Sequence, residues 1–285
     1  MKTLRIISLI ILLLCFGHFY ILPNEREIVK KHGFEITRGH VIAMYHEQTD
    51  LVSSLGYYLG ISNVTIFDAI NGSHVKSSDV ISLYTQYLML SGRHDHMQLS
   101  SPAMLGCLLS HVEIWQSIKS NETIAVFEED AYVDFVSAER MYYLSEDMRG
   151  VLWDIIILES GQKLIASGRW NHIGNYAANC STIPCTWFGT SGYLLTYTGA
   201  QHLLRHVYPI SVQVDALIAL EATFNIEFKM FWTRENIAHQ HIFHVSGIWD
   251  ACLKCYMPTS PFYYLAFAFL SLFLLFKKLS YKTVH

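Results

Sequence analysis

Thr123-Ile-Ala-Val-Phe-Glu-Glu-Asp130 is an apolar, β-prone run that ends on three consecutive acids. A run of this length bounded by charge is typical of a buried strand in a parallel sheet. Ligands of open α/β sheets bind at the carboxyl ends of the strands. Because side chains alternate along a strand, we expect Glu128 and Asp130 on one side of the chain, where they can hold a divalent cation that binds a diphosphate. The alternative is a solvated acidic turn that closes the strand.

The segments around this run alternate between strand and helix patterns. Apolar β-prone runs predict further strands at 40–45, 63–67, 153–158, 192–196 and 227–232, and helical spacing predicts helices at 51–59, 102–118, 199–206 and 214–222. This alternation predicts an α/β fold with a mostly parallel sheet and helices on both faces. No internal repeat or low-complexity linker divides the chain, so a single domain is the economical interpretation.

Composition excludes nucleic-acid binding and indicates that the chain is unusually apolar. Only 15% of the 285 residues are charged and 52% are hydrophobic. This balance is too apolar for a wholly soluble protein of this size, and the excess lies at the two ends. A net charge of −4 provides no basic field to attract nucleic acid, so nucleic-acid partners are excluded.

Both ends of the chain carry apolar segments. Residues 1–22 contain Lys2 and Arg5 followed by a charge-free run, which predicts a signal anchor or a cleavable signal peptide. Residues 259–278 hold a second apolar run without a polar face, followed by lysines, and predict a C-terminal transmembrane helix. An amphipathic or buried helix is the alternative for that run.

The flanking basic residues predict that residues 23–258 form a domain on the lumenal side of the membrane. Lysine and arginine favour the cytoplasmic side, and they flank both apolar segments on the outer ends. Four glycosylation acceptor patterns fall in the middle segment, at Asn63, Asn71, Asn121 and Asn179. We therefore expect a protein of the endoplasmic reticulum or Golgi membrane.

Several motifs, in order along the chain, carry a family resemblance. Gly106-Cys-Leu-Leu-Ser-His111, Trp115 and the 125–130 strand end are similar to the signature of glycosyltransferase family 25. That family includes bacterial lipooligosaccharide and animal procollagen galactosyltransferases. Further matching segments are Asp68-Ala-Ile-Asn-Gly72, Trp153-Asp-Ile155, Gly189-Thr-Ser-Gly-Tyr193, Val214-Asp215 and 240–246. The ordered set covers residues 40–248.

The resemblance implies a single GT-A-like domain that binds a nucleotide sugar. It implies an inverting transfer of a sugar, galactose from UDP-galactose, to a hydroxyl of a protein or glycan acceptor. Asp215 is the first candidate for the general base and Glu159 the second. The predicted donor-binding residues are Asp68, Ser110, His111, Glu128, Gly189, Thr190 and Gly192.

A divalent metal, Mn²⁺ or alternatively Mg²⁺, is expected to neutralise the charge that develops on the leaving diphosphate. Its candidate ligands are Glu128, Glu129 and Asp130. A histidine distant in the chain can complete a cation site begun by carboxylates, and His241 and His244 are the candidates for that role.

Each assignment has a structural alternative. Asp215 can serve as an acid at a helix N-terminus, Ser110 and His111 can make structural hydrogen bonds, and the glycines can serve tight turns. The chain departs from the family pattern at Glu129, where aspartate is usual, and at 43–47, which lacks the usual Asn-Leu and downstream Arg. A catalytically inactive member that acts in adhesion or acceptor binding is therefore the alternative function. A metal-dependent phosphate-ester hydrolase ranks third, since it needs a denser set of ligands.

Overall fold

The computed structural model describes residues 31–44, 48–76, 80–92, 95, 97–159, 170–180 and 189–240. Its helices are α1 (Thr49–Leu59), α2 (Leu83–Ser91), α3 (Pro102–Gln116), α4 (Phe135–Asp147), α5 (Tyr197–His206) and α6 (Val214–Phe224). Its strands are β1 (Arg38–Ala43), β2 (Val64–Asp68), β3 (Thr123–Glu128), β4 (Ala131–Tyr132), β5 (Ile155–Ile157), β6 (Trp170–Ile173), β7 (Ala177–Cys180), β8 (Gly192–Thr196), β9 (Met230–Thr233) and β10 (His239–Gln240).

Eight of these strands form one sheet, in the order β2-β1-β3-β8-β5-β9-β7-β6. The pairs β1–β2, β1–β3 and β5–β9 are parallel. The pairs β3–β8, β5–β8, β7–β9 and β6–β7 are antiparallel. The α/β prediction is therefore confirmed, but the sheet is mixed rather than mostly parallel. Short apolar runs look alike in both directions, so their sequence did not reveal that β8 runs opposite to its neighbours.

Strand β3 lies inside the sheet, and its two faces contact different helices. Ile124 and Val126 join the apolar cluster that includes residues of α3, α5 and α6. Ala125 and Phe127 join the opposite cluster, which includes residues of α1 and α4. Helices therefore cover both faces, as expected. Because the alternation has a period of two, Glu128 continues the face that contacts α3.

Helix α3 begins where its sequence indicates. The Ser101 side chain accepts a hydrogen bond from the Met104 amide, and Pro102 occupies the first turn, where its missing N–H costs nothing. The helix ends at Gln116, two residues before the predicted end. Cys107, His111 and Trp115 are spaced by four residues, which places them in one row along the helix.

The loop after β2 packs directly against α3. A Cβ atom at Gly106 would lie 2.2 Å from the Ile70 carbonyl oxygen, and one at Gly72 would lie 1.8 Å from the Pro102 oxygen. Ser110, fully buried, accepts a hydrogen bond from the Ile70 amide at 2.8 Å and donates to the Gly106 carbonyl at 2.8 Å. The two glycines are therefore needed for close packing of the loop on the helix.

Three features were absent from the sequence prediction. Helix α4 follows a capping box between Asp134 and Ser137, a local signal that the prediction did not use. The β6–β7 hairpin extends the sheet, and β4 pairs with β10 in a separate small sheet. Several predicted strands are also shifted by two or three residues; the first is Arg38–Ala43 rather than 40–45.

The predicted membrane segments, 1–22 and 259–278, both lie outside the described residues. Among the residues that are described, no helix is long and apolar enough to cross a membrane. Asn63, Asn71 and Asn121 are exposed, whereas Asn179 is half-buried in β7.

Candidate active site

The three acids at the end of β3, Glu128, Glu129 and Asp130, have three different partners. Glu128 accepts a short hydrogen bond from the Thr190 hydroxyl. Glu129 accepts one from the backbone amide of Met44, at 3.0 Å, beside the end of β1. Asp130 is 6% exposed and accepts one from the Gln240 side chain at 2.7 Å. The tip of the strand is therefore an organised set of carboxylates, and the solvated acidic turn is wrong for Glu128 and Asp130.

A pocket of about 160 Å³ lies at the carboxyl end of β3. Glu128 lines one part of it and Asp215, in the first turn of α6, lines another. The remaining lining residues are Met104, Cys107, Gly189, Thr190, Ser191, Gln213, Val214 and Gln240. The structure thus brings together predicted site residues from β3, the 189–192 segment and α6, which are far apart in sequence.

The charges of Glu128 and Glu159 respond differently to this environment. Burial acts to raise the pKa of Glu128, but the interaction with His111 and the hydrogen bond from Thr190 outweigh it, so this pKa lies below its usual value. Burial raises the pKa of Glu159, against the hydrogen bond from Ser191, and repulsion from Glu128 and Asp130 adds to the effect. Glu159 is thus close enough to both acids to feel their charge.

Asp215, the other carboxyl of the pocket, has a pKa near neutrality. Burial raises the pKa of Asp215 from 3.8 to about 7, although its oxygens accept hydrogen bonds from the backbone amides of Ala216, at 2.7 Å, and Gly189, at 3.2 Å. A carboxyl with a pKa near neutrality is suited to exchange protons with a substrate. Its position in the first turn of α6 also fits the helix N-terminal role that the sequence left open.

A buried row of polar side chains lies behind Glu128. The indole N–H of Trp115 donates to the Tyr193 hydroxyl at 2.9 Å. The same hydroxyl lies 2.8 Å from Nδ1 of His111, whose Nε2 lies 3.5 Å from Glu128 Oε1. The side chains of Trp115, Tyr193 and His111 are fully buried. They connect α3 to β8 and to the carboxylate at the end of β3.

Among the described residues, one group offers ligands for a cation at close range. Cys107, His111 and Glu128 each have a ligand atom within 4.8 Å of the others. The charges of Glu128 and Asp130 both act on Glu159, which lies outside this group. Carboxylate oxygens suit Mn²⁺ and Mg²⁺, whereas a cysteine suits softer metals. Of the other predicted ligands, Glu129 is engaged by Met44, and His241 and His244 lie outside the described residues.

The remaining predicted residues have separate positions. Asp68 is exposed at the end of β2, two strands from β3, which corresponds to about 10 Å. Ser110 uses its hydroxyl for two backbone hydrogen bonds. A Cβ at Gly192 would lie 2.7 Å from Ala238, so close packing requires that glycine. Gly189 has a φ of 124°, and a Cβ there would lie 2.8 Å from Glu159 Oε2.

The sequence prediction missed four residues of the site. Ser191 donates a hydrogen bond to Glu159, and Gln240 donates one to Asp130. Tyr193 is part of the row behind Glu128, and Cys107 lies next to that row. The four-residue spacing of Cys107, His111 and Trp115 was a readable signal for one helix face. No local pattern connects Gln240 to Asp130, since 110 residues separate them.

Comparison with known proteins identifies the same stretch of chain. The family model described as "Glycosyltransferase family 25 (LPS biosynthesis protein)" matches residues 38–218. A "Glycosyltransferase 25 family member" from Anopheles gambiae is 24% identical over 174 residues, which is 60% of this chain and 28% of the relative. The chain thus spans less than a third of the length of that relative.

Proposed function

Because this chain belongs to glycosyltransferase family 25, we propose that it transfers a sugar from a nucleotide diphosphate to a hydroxyl group of an acceptor. The donor is UDP-galactose, the acceptor is a protein or a glycan, and the reaction inverts the sugar configuration. A divalent cation assists the departure of the diphosphate. Family membership supports glycosyl transfer, and the pocket at the end of β3 supports the proposed location of the active site.

The observation that carries the proposal is the pair of unlike carboxyls in one pocket. Glu128 has a lowered pKa and stays ionised, whereas Asp215 has a pKa of about 7. Inverting transfer needs a general base that takes the proton of the acceptor hydroxyl, and a base works best when its pKa lies near the working pH. Asp215 fills that role, and its backbone hydrogen bonds hold the carboxylate in place. Glu159 is the second candidate, since its pKa is also raised.

Carboxylate oxygens at the end of β3 suit the expected cation. Glu128 and Asp130 are the protein ligands, and Mn²⁺ is the first choice with Mg²⁺ as the alternative. When bound there, the cation would supply positive charge for the leaving diphosphate. The protein itself orients Glu128 through Thr190 and Asp130 through Gln240. We propose that Asp68, at the end of β2, contacts the donor outside the β3 pocket.

The inactive alternative rests on the departures at Glu129 and at 43–47, and the geometry makes Glu129 a weak argument. Its carboxylate is engaged by the Met44 amide beside β1. A change between aspartate and glutamate at this position therefore alters the contact with β1 rather than the pocket. We propose an active enzyme of the endoplasmic reticulum or Golgi membrane, with the predicted terminal segments and the exposed acceptor patterns at Asn63, Asn71 and Asn121 as support.

Release of UDP tests the function. The purified full-length chain is incubated with UDP-galactose, UDP-glucose or UDP-N-acetylglucosamine and Mn²⁺, with and without hydroxylysine-containing collagen peptides or glycans. We expect release that depends on metal, is fastest with UDP-galactose, and is lost in Asp215→Asn. Donor binding without turnover, unaffected by Asp215→Asn, would support the binding protein instead. Absence of both turnover and donor binding refutes the proposal.

A further inference from the structure

The buried row behind Glu128 determines where the proton of His111 resides. Trp115 can only donate through its indole N–H, and it donates to the Tyr193 hydroxyl at 2.9 Å. The Tyr193 hydroxyl therefore has its own proton left to give. His111 Nδ1, 2.8 Å away, is the partner that the structure provides for that proton. Burial raises the pKa of Tyr193 well above its usual value, so the hydroxyl keeps its proton.

The opposite tautomer leaves this arrangement unsatisfied. If Nδ1 carried the proton, two N–H donors would converge on one hydroxyl, and the tyrosine proton would need another acceptor in a fully buried place. A buried polar group without a partner is costly, and fully buried hydroxyls are paired in nearly all proteins. The pairing that satisfies all three side chains makes Nδ1 the acceptor.

The other side of the imidazole leads independently to the same assignment. Among the residues that the structure describes, the buried Nε2 has no hydrogen-bond partner, and the nearest charged atom is Glu128 Oε1 at 3.5 Å. An unprotonated Nε2 would direct a lone pair at a carboxylate oxygen. A protonated Nε2 directs an N–H at it, which is long for a hydrogen bond but electrostatically favourable.

We propose that Trp115 and Tyr193 hold His111 as the tautomer with its proton on Nε2, so that the Nε2–H lies beside the Glu128 carboxylate as its electrostatic partner and His111 is not a metal ligand. His111 is thus a positioning residue, and Tyr193 acts through it. The Cys107–His111–Glu128 group then contributes only the Glu128 carboxylate to a cation. The tautomer does not depend on the proposed function, whereas its consequence for donor binding rests on that function.

Nitrogen NMR of the native protein tests the tautomer directly. The full-length chain is labelled with ¹⁵N-histidine, and the His111 signals are assigned by their loss in His111→Gln. We expect a pyridine-type shift at Nδ1 and a pyrrole-type shift at Nε2, unchanged when Zn²⁺ is added. A pyrrole-type Nδ1, two imidazolium-type nitrogens, or a Zn²⁺-dependent shift at Nε2 each overturns the proposal.

Variants then test the role of the row. Tyr193→Phe removes the proton donor to Nδ1, and we expect the tautomer ratio to shift and the affinity for UDP with Mn²⁺, measured by calorimetry, to fall about tenfold. Tyr197→Phe makes the same chemical change four residues away and serves as the matched control, with a native spectrum and affinity. Circular dichroism verifies folding of each variant.

The outcomes separate the two claims. Unchanged His111 signals in a folded Tyr193→Phe variant refute the role of Tyr193. If Tyr193→Phe does not fold, Trp115→Phe is used; it removes the N–H that directs the Tyr193 proton toward His111, so the tautomer ratio should shift, and unchanged His111 signals in that folded variant refute the role of Trp115. If Tyr193→Phe shifts the tautomer ratio but the native protein does not bind UDP, the proposed function is refuted and the tautomer assignment is retained.

Discussion

Replacement of Asp215 by asparagine separates a catalytic base from an acid that serves only the helix terminus. The folded protein binds the Asp215 proton more tightly than the unfolded chain, because the pKa rises from 3.8 to about 7 on folding. Asp215 therefore destabilises the folded state progressively as the pH rises from 4 to 7. A difference of about three pKa units corresponds to at most about 4 kcal/mol.

Two effects reduce the stability that Asp215→Asn is expected to gain at high pH. The carboxyl is half-buried and lines an open pocket, so solvent screens part of the charge. Asparagine can also accept only one of the two backbone hydrogen bonds, which costs about 1 kcal/mol. We expect Asp215→Asn to be less stable than the native protein at pH 4, and equal or more stable by about 1 to 2 kcal/mol at pH 8.

Urea unfolding of the purified full-length chain at pH 4 to 8 measures this dependence, and UDP release measures activity. In the native protein kcat/KM should rise about tenfold per pH unit below 7 and level off above it. Asp215→Asn should lose about 10²- to 10⁴-fold in kcat. Equal pH dependence of unfolding in both proteins, with activity retained in the variant, would refute the base and leave a helix-terminal acid worth about 0.3 to 1 kcal/mol.

Two further substitutions test the strand end and the packing of α3. Glu128→Gln removes the charge that faces the pocket and should weaken UDP binding with Mn²⁺ by about 10- to 100-fold in calorimetry. The control is Glu129→Gln, which should bind UDP normally because the partner of Glu129 lies beside β1. An equal loss of affinity in both variants would contradict the assignment of Glu128 to the site. Gly106→Ala places a Cβ 2.2 Å from a carbonyl oxygen and should lower the free energy of unfolding by about 1 to 3 kcal/mol or more. The control is Gly56→Ala, inside α1, where the nearest atom to the new Cβ lies at 3.7 Å; it should raise the free energy of unfolding by about 0.5 to 1 kcal/mol. A stable Gly106→Ala protein would show that the loop after β2 can move away from α3.

Local signals were sufficient for much of the fold. The 123–128 run predicted β3 correctly because its apolar side chains are buried on both faces. Pro102 predicted the start of α3 because the preference of proline for the first helical turn is a local property. The direction of β8 was not predictable, since an apolar run of five residues pairs equally well either way.

The candidate site was likewise only partly predictable from local sequence. Alternation along β3 predicted that Glu128 and Asp130 would lie on one side of the chain, but the strand ends at Glu128, and the three acids have three different partners. The prediction that all three hold one cation did not allow for the Met44 amide, which only the neighbouring β1 supplies. Membrane insertion, the lumenal location and the donor sugar stay predictions.

By itself the sequence determined which side chains could be charged, buried or helical, because those properties depend on neighbours within a few residues. Only the tertiary structure decided that Asp215 would lie in the same pocket as Glu128, and that Tyr193 would stand between Trp115 and His111. Those contacts join β3, β8, α3 and α6, and they exist because the sheet and its covering helices bring distant segments into one buried space. The pKa of Asp215 follows from that burial, which no local pattern of residues can specify.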